Sequence, residues 1–267
     1  IAATTLLAED KCRTLPDSSL YYKGAGKDLG QFDPTFLELD SKKKKEIAFS
    51  VYEETEGKSK KLISANSEYG DYLDYQYMID SQGFEGESIL SGFTVSAECS
   101  VKGRGDARPD GWWYENSLEF KRLEIGGCGN KALDRALAKL NPKKMKSGKY
   151  RMIVENICSS RVVSPIITAL GGENIQQKNS FLLDKLGERV FSEKMNLIDT
   201  PHEYGMSGSR YFDGEGIATK NMSVIENGKI NTYFINSYYA NKMGVAATIE
   251  GPSVPKFSAA AYKDEYK

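Results

Sequence analysis

The segment ILSGFTVSAECSV, from Ile89 to Val101, alternates apolar residues with small polar ones. Side chains of a β-strand point alternately to opposite faces, so this pattern predicts a strand with one buried face. A tyrosine-rich stretch, Asp71–Asp80, and a turn at Ser81–Gly86 precede it, and the aromatic residues Trp112–Tyr114 follow after two glycine-containing loops. Aromatic and β-branched stretches bounded by such turns are typical of an antiparallel meander.

Helical patterns flank the meander on both sides. A helical stretch is predicted from Asp33 to Val51, and acidic residues around its four consecutive lysines indicate a solvated helix face. After the meander, apolar residues in 130–140 recur on one helical face, and a second helix is predicted over about 157–170, kinked or restarted at Pro165. Strands and helices in segregated blocks indicate the α+β class.

Four further local predictions complete this outline. Residues 1–9 resemble the end of a helix, and Tyr150–Glu155 is expected to form a strand after Gly148. From Ser180 onward strands and turns dominate, with a tight turn at Glu226–Lys229.

Charge and composition exclude several classes of protein. The 267 residues include 36 Lys+Arg and 37 Asp+Glu, a net charge of −1, so no basic excess marks a nucleic-acid partner. With 40% hydrophobic residues and no run of 18 apolar ones, the chain is predicted to be globular and without a membrane span. We also expect it to be cytoplasmic.

His202 is the only histidine, which limits metal and acid–base chemistry. A zinc site with two or three histidines cannot be built from this chain alone, and any histidine-based catalytic triad would have to use His202. The four cysteines contain no C-x-x-C pair and are predicted to be buried free thiols; they are Cys12, Cys99, Cys128 and Cys158.

Three short motifs suggest chemistry but are incomplete. Gly126–Gly129 could cradle a phosphate at a helix N-terminus, yet it lacks the G-K-[ST] ending, so a structural turn is favoured. Gly205–Ser209 resembles a G-x-S-x-G nucleophile elbow except that serine stands at its last position. His202-Glu203 begins a zinc-protease motif whose second histidine is replaced by Met206.

Asp213 and Glu215 form a second kind of candidate, in the segment FDGEG from Phe212 to Gly216. Carboxylates between glycines can bind a cation or hold the amines of a ligand. The alternative is a turn that carries two solvated acids.

Several motifs of the second half occur in a recognisable order: Ser180–Glu188, Asp199–His202, Phe212–Gly216, Ile225–Lys229 and Tyr238–Gly244. Together they resemble the TldD/PmbA family, the so-called modulators of DNA gyrase, and within it the PmbA (TldE) branch. The resemblance extends more weakly upstream to about residue 60.

The resemblance implies a two-lobed α+β fold with a strand-rich antiparallel C-terminal lobe. On this basis we expect an N-terminal lobe in 1–125, a C-terminal lobe in 126–257 and an unplaced tail in 258–267. The chain is also shorter than typical members at both ends, which favours a fragment.

Family members are expected to work in pairs as a zinc metalloprotease of peptides and unfolded segments. The TldD-type chain carries H-E-x-x-x-H on a helix, and a cysteine completes its zinc site. When the leucine pair before that motif is aligned with Val162-Val163, the histidine, glutamate and histidine positions fall on Ser164, Pro165 and Ala169. These residues cannot hold zinc or activate water, so the resemblance implies no metal here and zinc in a TldD-type partner.

The sequence therefore favours a PmbA/TldE-like non-catalytic subunit that pairs with a TldD-like catalytic chain, or with itself, and encloses peptide substrate. His202, Asp213 and Glu215 are the candidate peptide-site residues. Two alternatives remain: a homodimeric hydrolase that uses these three residues, and a peptide- or glycan-binding module formed by the tyrosine-rich meander.

Overall fold

A computed structural model describes residues 8–258, which fall into two compact units. The sheet unit comprises 30–76 and 88–151, and the C-terminal unit comprises 8–29, 77–87 and 152–258 of the described chain. The predicted helix end at 1–9 and tail at 258–267 lie outside the described residues except at their inner ends. There, residues 8 and 9 are not helical and Ser258 ends a strand.

The sheet unit contains most of the predicted meander, and the hairpin end at 77–87 belongs to the C-terminal unit. The meander strands β1 (Leu62–Ile79), β2 (Glu85–Val101) and β3 (Asp110–Ser117) lie in that order, so β2 is central. Strands β2 and β3 are antiparallel, in a register that runs from Phe93 opposite Ser117 to Ser100 opposite Asp110. The meander is thereby confirmed.

Helices α1 (Thr35–Glu38), α2 (Ser41–Glu53) and α3 (Cys128–Ala138) belong to the sheet unit. The helical stretch predicted from Asp33 to Val51 is interrupted once, because Asp40 leaves the helical conformation and caps α2 by accepting a hydrogen bond from Lys43 N at 2.7 Å. The core of this unit combines alternate β2 residues with the inner faces of α2 and α3: Ile47, Val51, Phe93, Val95, Ala97, Cys99, Val101, Ala132, Leu133 and Ala136.

Close packing of α3 on β3 depends on Gly111. A Cβ atom at this position would lie 2.2 Å from Ala136 N and 2.6 Å from Ala132 O, both backbone atoms that cannot rotate away. We expect Gly111→Val to lower the free energy of unfolding of the sheet unit by about 3 kcal/mol through overpacking. Gly70→Val is the matched control, since nothing lies within 4 Å of its Cβ position in β1.

Urea unfolding followed by tryptophan fluorescence measures this change specifically, because the two tryptophans of the chain, Trp112 and Trp113, both lie in β3. Equal stability of the two valine variants would contradict the prediction.

In the C-terminal unit a second sheet has the strand order β6-β5-β4-β7. Its strands are β4 (Asn196–Asp199), β5 (Met222–Glu226), β6 (Lys229–Ile230) and β7 (Pro255–Ser258). The predicted turn at 226–229 is confirmed: Asn227 (φ 49°) and Gly228 (φ 75°) connect β5 to β6 in the left-handed conformation that a tight hairpin requires.

Three helices complete the C-terminal unit: α4 (Asn156–Ala169), α5 (Gly172–Gln176) and α6 (Ser237–Met243). The predicted helix over 157–170 is confirmed and continues through Pro165 without a restart. Helix and sheet residues share one apolar core, whose most buried side chains are Leu170, Leu182, Leu197, Val224, Ile225, Ile230 and Phe234.

The strand predicted at Tyr150–Glu155 is wrong. These residues form no regular structure, and Met152 and Ile153 are 76% and 70% exposed. Strand propensity alone does not hold a segment extended, because backbone groups of a strand need a neighbouring strand to pair with. No described strand pairs with this segment.

Helix α3 groups with the sheet unit, so the boundary between the compact units does not coincide with the lobe boundary expected at 125/126. Within residues 8–258, no helix has both the length and the apolar character to cross a membrane.

Candidate functional site

The three positions aligned with the zinc motif lie in the C-terminal half of α4. Ser164 donates its hydroxyl to the carbonyl oxygen of Ser160 at 2.6 Å, Pro165 has neither a donor nor a ligand group, and Ala169 is buried in the core. In the described part of the chain, no group of three His, Cys, Asp or Glu side chains is placed to hold a metal ion. The residues present do not fit a zinc site.

Two of the family-like motifs, Asp199–His202 and Phe212–Gly216, lie in the segment 199–219, which is hydrogen-bonded to the segment 249–254. We call these two segments the braced loops. Asp213 is 2% exposed, and its Oδ1 accepts hydrogen bonds from Glu215 N and Ile217 N at 3.0 Å each. Its Oδ2 accepts from Glu250 N at 3.2 Å. Burial raises the pKa of Asp213, although these hydrogen bonds oppose the shift.

Glu215 also accepts a hydrogen bond from a backbone amide. Its Oε2 accepts a hydrogen bond from Ser237 N at 2.8 Å, at the first residue of α6. Such a bond satisfies one of the N–H groups that every helix leaves without a partner at its start. Both predicted carboxylates therefore already accept hydrogen bonds from backbone amides.

Asp199 is a second buried carboxylate, and it was not among the candidate residues predicted from the sequence. Its Oδ1 accepts from Ser253 N at 2.9 Å and from Val254 N at 2.7 Å. Burial raises its pKa, against the effect of these two hydrogen bonds. Its position in the family-like motif Asp199–His202 is the feature of the sequence that could have identified it.

Arg210 clamps the second segment of the braced loops. Its Nε donates to Ser253 Oγ at 2.9 Å, its Nη1 to Glu250 Oε1 at 3.0 Å and its Nη2 to Gly251 O at 2.9 Å. No sequence pattern singled out Arg210, because its partners are 40 or more residues away along the chain. These three charge-assisted hydrogen bonds connect the two loop segments.

His202 lies on this surface and is exposed. Its Nε2 is 3.1 Å from Thr219 Oγ1, and the Thr219 hydroxyl itself donates to Arg210 O. Since the hydroxyl proton is used there, Nε2 acts as the donor, and Nδ1 of the neutral ring is left as an acceptor. The ring also packs 4.7 Å from the ring of Tyr211, and no described hydrogen bond joins His202 to Asp213 or Glu215.

The two catalytic motifs near His202 are not supported by geometry. Gly205–Ser209 consists of turns, without the strand and helix that a nucleophile elbow joins, and Ser209 Oγ donates to Glu203 O at 2.6 Å. Glu203 pairs instead with Lys256 at 2.6 Å.

The glycine-rich segment before α3 binds a carboxylate of the same chain. Glu54 accepts from Gly127 N at 2.6 Å through Oε1, and from Gly129 N at 2.8 Å and Asn130 N at 3.3 Å through Oε2. The amides that could have held a phosphate are thus occupied. This confirms the structural turn.

All four cysteines are free, as predicted, but the predicted burial is wrong for Cys12 and Cys158, which are partly exposed. Cys99 and Cys128 are buried, and burial raises the pKa of Cys128 to about 11, which keeps it a thiol. Neither buried cysteine is therefore suited to act as a nucleophile.

Two family models match the chain and together cover most of it. The model of the PmbA/TldA metallopeptidase central domain matches residues 34–140. The model of the PmbA/TldA metallopeptidase C-terminal domain matches residues 147–261.

Named relatives agree with these matches. The chain is 29% identical to a metalloprotease PmbA homologue of Haemophilus influenzae over 84% of its own length and 51% of the relative's. It is 28% identical to a metalloprotease of Methanocaldococcus jannaschii over 84% of its length and 49% of the relative's. The chain thus spans about half the length of these relatives.

Solved structures share the fold. A proposed modulator of DNA gyrase from Bacteroides thetaiotaomicron superimposes with a TM-score of 0.94 at 47% identity, covering 96% of this chain and 59% of the other. TldE from Thermococcus kodakarensis superimposes with a TM-score of 0.73 at 17% identity, covering 97% and 59%, and shows the likeness of fold alone.

Proposed function

We infer the function from one premise, that the chain belongs to the PmbA/TldD metallopeptidase family. We propose that it acts as a non-catalytic subunit of the PmbA/TldE type, paired with a TldD-like chain that carries the zinc and cleaves peptides or unfolded segments. The proposal places the complex in the cytoplasm and gives this chain no nucleic-acid partner.

One observation carries the proposal: in a metallopeptidase-like fold, the residues aligned with the zinc motif carry no group that can bind zinc. Ser164, Pro165 and Ala169 occupy the positions aligned with the zinc motif, and the single histidine of the chain lies in a loop instead. Zinc hydrolysis needs three protein ligands and an open position for water. A partner chain would have to supply them.

Exposed apolar side chains on and before α4 support pairing with another chain. Met152, Ile153 and Val162 are 76%, 70% and 54% exposed. Large apolar side chains exposed on a protein surface commonly contribute to an interface. This surface is where we place the contact with the catalytic partner.

His202 is the residue of the braced loops that we expect to touch peptide, because its Nδ1 can accept a hydrogen bond from a peptide N–H. Asp213 and Glu215 then act as positioning residues that hold the loops around it through Glu250 N and Ser237 N. They contribute to substrate binding through shape and not through direct contact.

Co-expression with a TldD-like chain bearing H-E-x-x-x-H tests the proposal. We expect a complex that co-elutes, cleaves unfolded peptide and depends on both chains, whereas this chain alone neither binds zinc nor cleaves. Ile153→Glu with Val162→Glu is expected to abolish the complex because it places charge in an apolar interface. Leu186→Glu, 56% exposed elsewhere in the same unit, is the control.

Two results would overturn the proposal. One is the absence of a complex with unchanged partner activity. The other is peptide cleavage by this chain alone that is lost in His202→Ala, which would support the homodimeric hydrolase.

A further inference from the structure

The three strands of the meander contain no lysine or arginine. They carry eight carboxylates: Glu68, Asp71, Asp74, Glu85, Glu87, Glu98, Asp110 and Glu115. Cations from helices pair with some of them, as Lys44 does with Asp71 and Lys131 with Glu115. No described cation pairs with Glu68, Asp74 or Glu98, so the sheet is a strongly anionic surface.

Alternation along β1 separates an inner row from an outer row. Ala65 and Tyr69 pack against the core, and Ser67 donates to the carbonyl oxygen of Ala48 in α2 at 2.6 Å. The residues that alternate with these along β1 are exposed on the opposite face of the sheet. We call three of them, Glu68, Tyr72 and Asp74, the outer row.

Gly92 of β2 determines how Tyr72 lies. A Cβ atom at Gly92 would be 2.3 Å from the Tyr72 ring, so the glycine lets the ring lie flat against the outer side of β2. The outer row thus presents a fixed aromatic ring between two carboxylates. Lysine and arginine side chains bind both kinds of group, by ion pairing and by cation–π contact.

Strand β1 is the edge of its sheet. The described strands place only β2 beside it, so the other side of β1 directs backbone groups away from the sheet. The segment Glu68–Asp74 of this edge can accept an added strand through those groups. A second copy of β1 is a poor partner, because it would bring Glu68 and Asp74 against like charges.

We propose that the edge of β1 binds an extended peptide segment rich in lysine and arginine by strand addition. An added strand would lie about 4.8 Å from β1 with its side chains opposite the outer row. Cationic residues at alternate positions would then face Glu68, Tyr72 and Asp74. Glu68, Tyr72 and Asp74 belong to the sheet unit, whereas the braced loops and α4 belong to the C-terminal unit. The inference stands whether or not a TldD-like partner is found.

Fluorescence anisotropy with the whole chain, in the absence of any partner, tests this proposal. The probe is a labelled nine-residue peptide that alternates lysine with threonine or valine, and the control probe has glutamate in place of lysine. We expect the lysine peptide to bind with an affinity that falls as salt rises, and the glutamate peptide not to bind.

Two variants and one modified peptide distinguish the contribution of charge to peptide binding from that of backbone hydrogen bonds. Glu68→Lys with Asp74→Lys is expected to weaken binding roughly tenfold by replacing attraction with repulsion at two positions. Glu56→Lys, an exposed charge reversal in the turn before β1, is expected to change nothing. N-methylation of alternate peptide amides should abolish binding because it removes the hydrogen bonds of strand addition.

Several outcomes would overturn the proposal. They are equal binding of the two probes, undiminished binding to the double lysine variant, retained binding of the methylated peptide, or self-association through β1 that competes with the probe. Tryptophan fluorescence of Trp112 and Trp113 verifies that each variant folds. If the double lysine variant does not fold, the neutral double variant Glu68→Gln with Asp74→Asn gives the same test, with a smaller loss of affinity.

Discussion

Replacing Asp213 by alanine is expected to lower the free energy of unfolding of the C-terminal unit by about 4 kcal/mol. The change removes the acceptor of three backbone N–H groups, those of Glu215, Ile217 and Glu250. Each buried N–H left without a partner costs about 1–3 kcal/mol, because its hydrogen bond to water is not recovered. A nearby water could restore part of this loss, so we expect less than the sum.

Hydrogen-exchange mass spectrometry measures the effect where it arises. Faster exchange is expected in peptides that span 212–218 and 249–254, with a lower urea midpoint for the unit. Glu193→Ala is the control, because it removes only an exposed ion pair with Arg189 and should change stability by less than about 0.5 kcal/mol. Unchanged exchange in Asp213→Ala would show that the carboxylate does not hold these loops.

The pH dependence of the same site has a definite sign. Burial raises the pKa of Asp213 in the folded chain above that in the unfolded chain. Protonation therefore favours the fold, and this stabilisation is fully present below the unfolded pKa, about 3.9, and lost as pH rises through the folded pKa. The stability of the natural chain relative to Asp213→Asn should fall across that window, since asparagine does not titrate. If the stability of the natural chain relative to Asp213→Asn rises or stays constant across that pH window, the raised pKa of Asp213 is contradicted.

Replacing Glu54 by alanine is expected to destabilise the sheet unit by about 3 kcal/mol. The carboxylate is the acceptor for Gly127 N, Gly129 N and Asn130 N at the start of α3, where unpaired N–H groups and the helix dipole favour an anion. Glu53→Ala, at the neighbouring exposed position, should be nearly neutral. Urea unfolding followed by tryptophan fluorescence measures both variants.

Rescue by small anions adds a sharper test of the Glu54 site. The alanine variant exposes a cradle of amides that formate, acetate or phosphate can enter, so these ions should restore part of the lost stability. The natural chain and Glu53→Ala should gain less. Loss of stability without rescue would indicate that packing of the Glu54 side chain, and not its charge on the amides, holds α3.

Local periodicity was sufficient for much of the fold. The meander around Ile89–Val101, the buried face of α3 and the turn at 226–229 each depend on residues within a few positions of one another, so a pattern in the sequence reports them. The same reasoning was wrong for Tyr150–Glu155. A strand also depends on a partner, and local composition does not show whether a partner is present.

For the candidate site, the amino-acid sequence by itself determined what this chain lacks. One histidine, and Ser164, Pro165 and Ala169 on α4, leave no zinc ligands at those positions whatever the fold, because ligand chemistry is a property of residue type. Only the tertiary structure decided what the carboxylates do. Glu54 meets Gly127 across 73 positions and Asp199 meets Ser253 across 54. Contacts between residues so far apart along the chain have no periodicity to detect, and they form because folding brings a buried acceptor against otherwise unpaired backbone amides.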